Sequence, residues 1–185
     1  MARLILNMNV SLDGYVDHDH PDLLPDETLF RFFIEMTKGI AGSIYGRKLY
    51  ELMQYWDGED WDQGDPAGVS DLRDFAKAWR AQPKWVVSRT LTEVGSNATL
   101  IRGDVEAAIR RLKDEVQGDI DVGGTVLAHW LGERGLLDEV HMYLRPVVLG
   151  KGRPMFVGPM PRLRFLGSER IGTDVIWLRY AVAQS

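Results

Sequence analysis

Residues 120–131 read IDVGGTVLAHWL: a short apolar run, two consecutive glycines, then apolar residues at helical spacing. Ile120 to Val122 predict a strand that runs into Gly123-Gly124 and turns at once into a helix reaching Trp130 and Leu131. Upstream, Asp104 is a good N-cap for a helix in which Val105, Ala108, Ile109, Leu112 and Val116 follow the 3.6-residue period, with Gly118 at its end. Downstream, Val140, Met142 and Leu144 alternate with His141, Tyr143 and Arg145, the period of a strand with two different faces. Helices that alternate with strands favour parallel crossover connections.

The rest of the chain extends this pattern. Residues 3–10 are rich in Leu, Ile and Val and stop at the turn signal Ser11-Leu12-Asp13-Gly14, after which come Tyr15-Val16 and a polar loop from Asp17 to Pro21. From Pro25 to Lys38, Leu29, Phe32, Phe33 and Met36 recur at helical spacing, with Gly39 as a stop. Ile40 to Tyr45 is strand-like, and Gly46 separates it from a helical pattern carrying Leu49, Leu52, Met53 and Trp56. An acidic, exposed loop is predicted over 57–68, a short helix over 71–80, and a strand over Lys84 to Val87, introduced by Pro83. Finally, 163–171 and 174–182 predict two strands joined in a hairpin at Gly172-Thr173. The expected architecture is α/β: a mixed, mainly parallel sheet flanked by helices, closed by an antiparallel C-terminal hairpin, in one domain spanning 1–185.

Composition narrows the chemistry. The 185 residues are 45% hydrophobic and 26% charged, ordinary globular values that allow one sizeable core. The absence of cysteine removes disulfides, thiolate nucleophiles and Cys-based zinc sites. No apolar run approaches the roughly 20 residues of a membrane helix, and the N-terminal MARLILNMNV reads as a strand rather than a signal peptide, which predicts a cytoplasmic protein. A net charge of −5 argues against general nucleic-acid binding. Charge is uneven, though: 57–74 hold seven acids and one Arg, whereas 151–170 hold five Lys or Arg and one Glu, so local anion sites stay open.

Three strand ends share one chemical logic, because ligands of open α/β sheets bind outside the carboxyl ends of strands, where helix N-termini and free N–H groups point outward. At Gly46-Arg47-Lys48, two cations in the first helical turn oppose the dipole, a penalty that a bound anion reverses; a glycine turn with two solvated side chains is the alternative. At Ser88-Arg89-Thr90, a guanidinium between two hydroxyls suits a phosphate, or marks an ordinary strand exit. At Gly123-Gly124-Thr125, missing side chains let a pyrophosphate approach the backbone. Neither G-x-G-x-x-G nor a P-loop is present, the nearest candidate being Gly150-Lys151-Gly152 followed by Arg153, Pro154 and Met155.

Taken in order, Ser11-Leu12-Asp13-Gly14, Gly46-Arg47-Lys48, the Lys84 to Thr90 segment, Gly123-Gly124 followed by Gly135 to Val140, and the Pro146 to Gly152 loop with Phe156 resemble the dihydrofolate reductase-like superfamily. The branch they resemble more closely is that of the C-terminal reductase domain of bacterial riboflavin biosynthesis, from Leu4 to about Val182. The resemblance implies NADPH as cofactor, with Gly46, Arg47, Lys48, Ser88, Arg89 and Thr90 on the 2′-phosphate and pyrophosphate. It places Gly123, Gly124, Thr125, Val126 and Leu127 on the pyrophosphate and nicotinamide side, and implies a cis peptide at Gly-Gly. It also sets Asp13 near the nicotinamide as the polar, catalytic candidate, against the alternative of an Asp-Gly turn pair. Asp26, Glu27 and Glu35 are counterparts by position of the carboxylate that dihydrofolate reductase carries on its first helix, and none is assigned that role.

Other features carry less chemistry. Asp17-His18-Asp19-His20 lacks helical ligand spacing and reads as a solvated loop, so no metal is expected. His129 and His141 have no nucleophile context. Trp56 or Trp61 is a candidate for contact with a flat heterocycle. The resulting expectation is a reductase that transfers hydride from NADPH to a small heterocyclic or carbonyl compound. Alternatives are a 5-amino-6-(5-phosphoribosylamino)uracil-type pyrimidine reductase of riboflavin synthesis and a non-catalytic nucleotide-binding protein. Val175, Ile176, Trp177 and Leu178 are apolar on both faces of the hairpin, which predicts a homodimer.

Overall fold

A computed structural model describes residues 1–17, 20–58 and 69–183. The chain runs through β1 (Arg3–Ser11), β2 (Tyr15–Val16), α1 (Glu27–Gly39), β3 (Gly42–Gly46), α2 (Arg47–Met53), α3 (Val69–Ala81), β4 (Lys84–Val87) and β5 (Ala98–Ile101). It continues through α4 (Val105–Glu115), β6 (Asp119–Gly123), α5 (Thr125–Glu133), β7 (Glu139–Arg145), β8 (Arg153–Pro154), β9 (Leu163–Ile171) and β10 (Val175–Val182). Eight strands form one sheet in the order β5-β4-β3-β6-β1-β7-β10-β9. From β5 to β7 every neighbouring pair is parallel, while β10 is antiparallel to both β7 and β9, as the hairpin at Gly172-Thr173 requires.

Alternation along the central strands supplies both layers. In β1, Leu4, Leu6, Met8 and Val10 face a core shared with Ile44, Ile120, Val122 and Val140 and covered by Ile109 and Leu112 of α4 and Ala128 and Leu131 of α5. On the opposite face, Leu29 of α1 packs with Tyr143, Ile171 and Val175, bordered by Phe32, Phe33, Met36 and Trp177. His141 lies on this covered face, bonded to Glu139 at 2.8 Å and edge-on to Trp177, so packing accounts for it. Beside α1 lies α3, with the Phe30 and Phe75 rings 5.5 Å apart and Arg31 bonded to Asp71 at 3.0 Å.

Helix starts follow local chemistry. Asp26 accepts from the Leu29 N–H (2.8 Å) and Asp104 from the Ala107 N–H (3.0 Å), each satisfying an orphan donor of α1 and α4. Glu27 and Glu35 pair with Arg31 and Lys38 on the α1 surface. These contacts assign Asp26, Glu27 and Glu35 to capping and surface pairing.

The strand β5 is an addition to what periodicity indicates. Its four residues, ATLI, carry no full alternation, and their place is set by tertiary bonds. The Asn97 amide donates to the carbonyls of Arg80, Ala81 and Gln82 (2.8, 3.1 and 2.7 Å), closing the end of α3, and the Gly95 N–H donates to the Tyr50 hydroxyl (2.8 Å). A further correction concerns Gly123-Gly124. Every described peptide bond is trans, that one included, and the sharp turn is made at Gly124, where φ is +109°. The His18-Asp19 pair, Trp61 and most of the acidic 57–68 stretch lie outside the described residues. Among the described residues no helix is long and apolar enough to cross a membrane, and no three His, Cys, Asp or Glu cluster as metal ligands.

Candidate active site

The strands β4, β3 and β6 are parallel neighbours, so their carboxyl ends line one edge of the sheet. Tyr45 pairs with Gly123 and Gly46 with Val87, which brings the three glycine, hydroxyl and cation segments side by side although 77 positions separate Gly46 from Gly123 in the sequence. Gly123 is forced by packing: a Cβ there would lie 2.3 Å from Tyr45 Cδ1 and 2.8 Å from Leu49 Cδ2. Gly46 and Gly124 are different. A Cβ on either would meet nothing within 4 Å, so both face open space at the sheet edge.

The helices that leave this edge, α2 and α5, begin at Gly46 and Gly124 with no side-chain cap and no acid in the first turn. Their leading N–H groups therefore lack the carboxylate partner that Asp26 and Asp104 give α1 and α4. Lys48 and Arg89 are exposed and make no ion pair among the described residues. Arg47, in contrast, is bound along its own helix to both Glu51 oxygens at 3.0 Å, the i,i+4 pairing that helical geometry favours. The Ser88 hydroxyl is buried and accepts from the Thr90 and Leu91 N–H groups (3.2 and 3.0 Å), shaping the turn that presents Arg89. Thr125 is buried, Leu127 half-buried and Val126 exposed.

Asp13 sits at the end of β1. Its carboxylate accepts from the Ser11 hydroxyl (2.6 Å) and from the N–H groups of Leu149 (3.1 Å) and Gly150 (2.6 Å). Those bonds, the Ser11 hydroxyl foremost, hold its carboxyl below the usual carboxylate range. They also tie the Pro146 to Gly152 loop to the β1 turn, helped by Leu12 N–H to Val147 O (2.8 Å) and Met155 N–H to Gly14 O (2.9 Å). Held this way, Asp13 is an acceptor that braces a loop.

Beside the strand ends, between α1, α3 and the sheet, opens a cleft of about 230 Å³. Phe30, Phe33, Trp56, Phe75 and Tyr143 contribute aromatic surface, and Tyr45, the residue paired with Gly123, belongs to it as well. Polar groups enter from the sheet. Asn7 donates to Asp121 at 3.0 Å and accepts from the Tyr143 hydroxyl at 3.1 Å. Asn9 Oδ1 is buried without a partner. Burial pushes the Asp121 carboxyl up to about 6 and raises the Tyr143 hydroxyl well above its ordinary value. Trp56 lines this cleft, and Asp121, Asn7 and Asn9 are functional candidates that motif reading passes over. Their signal is polar residues at alternate positions of strands covered on both faces.

The sequence profile of the RibD C-terminal domain matches residues 2–177. The chain belongs to the RibD C-terminal domain family. The chain is similar to the uncharacterized protein YyaP of Bacillus subtilis (strain 168), with 27% identity over 187 residues covering 96% of this chain and 94% of that one. Among solved structures, a Shewanella sp. PV-4 protein, assigned provisionally to riboflavin biosynthesis, superposes with a TM-score of 0.74 at 23% identity over 98% of each chain. The dihydrofolate reductase of Enterococcus faecalis, complexed with NADP(H), superposes with a TM-score of 0.62 at 12% identity over 97% of this chain and 95% of that one. The fold is that of dihydrofolate reductase, and kinship with the RibD family supports an oxidoreductase in the broad sense.

Proposed function

We propose that the protein is an NADPH-dependent reductase that delivers hydride to a small heterocyclic or carbonyl compound. The observation that carries this reading is the alignment of the β3, β4 and β6 ends, with two uncapped helix starts and open Gly46 and Gly124, directly beside an aromatic cleft that shares Tyr45. NADPH, when bound, would supply the hydride. The residues here fit its tail: the opening turns of α2 and α5, which carry no side-chain cap, suit a pyrophosphate, and Lys48 and Arg89 suit a further phosphate dianion. Arg47, whose Nη1 is held by Glu51, could join through its Nε and Nη2 donors. Asp13 would fix the Pro146 to Gly152 loop against the β1 end, keeping the geometry of the cleft mouth.

The test is cofactor affinity. NADPH is expected to bind more tightly than NADH, and Arg89→Ala to weaken NADPH by roughly five- to fiftyfold, the size of one charge-assisted contact, while leaving NADH nearly unchanged. Equal loss for both cofactors, or no binding of either, would refute the assignment of this edge. Binding of NADPH with no oxidation in the presence of pterins, aminopyrimidines or quinones would instead indicate a nucleotide-binding protein on the same scaffold.

A further inference from the structure

The amino end of β4 lies about 10 Å along the strand from the end that carries Ser88 and Arg89. There Lys84 is only 3% exposed, a burial that an ammonium tolerates when it has partners. Its Nζ donates to the Gln82 carbonyl at 3.0 Å and stands 4.0 Å over the Trp79 ring. An ammonium carries three N–H donors, and among the described residues this one forms no ion pair. Burial pushes the amine down to about 8, against a weaker upward pull from Asp57. Lys84 borders a hollow of about 440 Å³, lined also by Tyr50, Asp57, Arg80 and the Gly95-Ser96-Asn97 turn. Tyr50 is buried; its hydroxyl accepts from the Gly95 N–H at 2.8 Å, and its own O–H meets no acceptor among the described residues. Arg80 donates through Nε and Nη2 to the Trp56 and Gly58 carbonyls (2.7 and 2.6 Å), which fixes its guanidinium beside the hollow. Two cations against one exposed acid, Asp57, leave the described lining positive. The Asn97 amide, bonded to three carbonyls at the end of α3, holds turn and helix in place.

We infer that this hollow binds a small oxyanion, the phosphoryl or carboxyl group of a metabolite, between the Lys84 ammonium and the Tyr50 hydroxyl. An oxyanion supplies the acceptor that both donors lack, and charge-assisted bonds gain strength where water is excluded. The site is separate from the cofactor edge, because it uses the amino end of β4 and the turn that precedes β5 rather than the carboxyl ends of the strands. It meets the aromatic cleft from behind. The Trp79 ring beneath Lys84 lines that cleft and donates through Nε1 to the Tyr45 hydroxyl at 3.3 Å. An anion that draws the ammonium into the hollow weakens its hold on Trp79, so occupancy here reaches the cleft wall. The charged or titratable groups that face Lys84 are Asp57, Arg80 and Tyr50, while its strand neighbours Ser43 and Ala98 add none.

The probe is sulfate, a dianion throughout the working pH range, titrated into the full chain carrying lysine labelled with carbon-13 at Cε, with chloride holding the ionic strength constant. The Lys84 Cε resonance, assigned by its loss in Lys84→Met, should shift with sulfate. Its pH midpoint should move up from about 8 by about one pH unit or more, since an adjacent anion favours the charged amine. By the same linkage, sulfate affinity should fall as pH rises through about 8 and the amine loses its proton. Tyr50→Phe, which keeps the lysine reporter, should weaken sulfate roughly tenfold, the size of one hydrogen bond to a charged group. Arg89→Ala should leave the titration as it is in wild type. Glycerol 3-phosphate and acetate, run the same way, distinguish the two sources, the tighter one naming the phosphoryl or the carboxyl group. Should Lys84→Met not fold, the Cε signal that titrates near 8 identifies Lys84 in wild type. A Lys84 signal indifferent to all three anions, a midpoint that stays near 8, or a response lost in Arg89→Ala would overturn the inference and leave Lys84 a buried strut over Trp79.

Discussion

Asp121 keeps its proton in a pH range where ordinary carboxylates have lost theirs. Its ordinary value is 3.8 and burial raises it to about 6 in the fold, so between these values the folded chain holds a proton that the unfolded chain has released. The stabilisation from that proton is complete in acid near pH 4 and is lost as pH rises through about 6, amounting to at most about 3 kcal/mol by pH 7. Asp121→Asn removes the linkage. The variant should be more stable than wild type at pH 7 and converge with it near pH 4, as urea midpoints across that range would register. Parallel pH profiles for the two chains would contradict the burial of this carboxylate. Asp13 has the opposite sign: held below its ordinary value by Ser11, Leu149 and Gly150, its contribution is present at neutral pH and disappears only in acid.

At the scale of elements, the glycines of the strand ends separate packing from binding. Gly123→Ala drives a Cβ to within 2.3 Å of Tyr45 Cδ1, so the β3–β6 contact must shift, at a cost of about 1–3 kcal/mol. Gly46→Ala meets no atom within 4 Å and keeps an ordinary φ of −77°, so stability should fall by about 1 kcal/mol or less, chiefly from poorer capping. Its cofactor affinity should nonetheless drop severalfold, because a methyl group would stand where a phosphate must approach the backbone. Chemical denaturation beside NADPH titration distinguishes the two; a Gly46→Ala chain that binds NADPH as wild type does would remove α2 from the site. This edge was legible from sequence because each end is a local motif, Gly46-Arg47-Lys48, Ser88-Arg89-Thr90 or Gly123-Gly124. The strand β5 was not, since four residues show little periodicity and Asn97 and Gly95 fix their place through distant partners. Nor was the pairing of Arg47 with Glu51, which depends on which of several solvated partners the guanidinium takes. Asp121 escaped because a lone acid in a strand gains meaning only when Asn7 and Tyr143 are seen to converge on it.

For the molecule as a whole, the unresolved demand lies at the free edge of the sheet. The outermost strand, β9, has no neighbour beyond it among the described residues, and Phe165 and Leu166 are 56% and 41% exposed. Natural edges are protected from pairing by covering elements, prolines, shortness, charges or bulges, and β9, nine residues long without proline, has only the charges of Arg164, Glu169 and Arg170 and the register shift opposite Arg179 and Tyr180. A second copy placed antiparallel across a two-fold axis with Leu166 opposite Gly167 would set Phe165 opposite Ser168. The same register sets Arg164 opposite Glu169 twice, a self-complementary charge pattern. We propose that two copies join through this strand. Light scattering at micromolar concentration should return twice the 21.0 kDa chain mass, and Glu169→Arg, which turns both attractions into repulsions, should return the single-chain value. A wild-type monomer would leave Phe165 and Leu166 as exposed side chains without a partner. A dimer insensitive to Glu169→Arg would move the interface to another face. Leu166 also lines a hollow of about 490 Å³ together with Asp121, Trp177 and Arg179, so pairing at β9 would narrow that hollow on the Leu166 side.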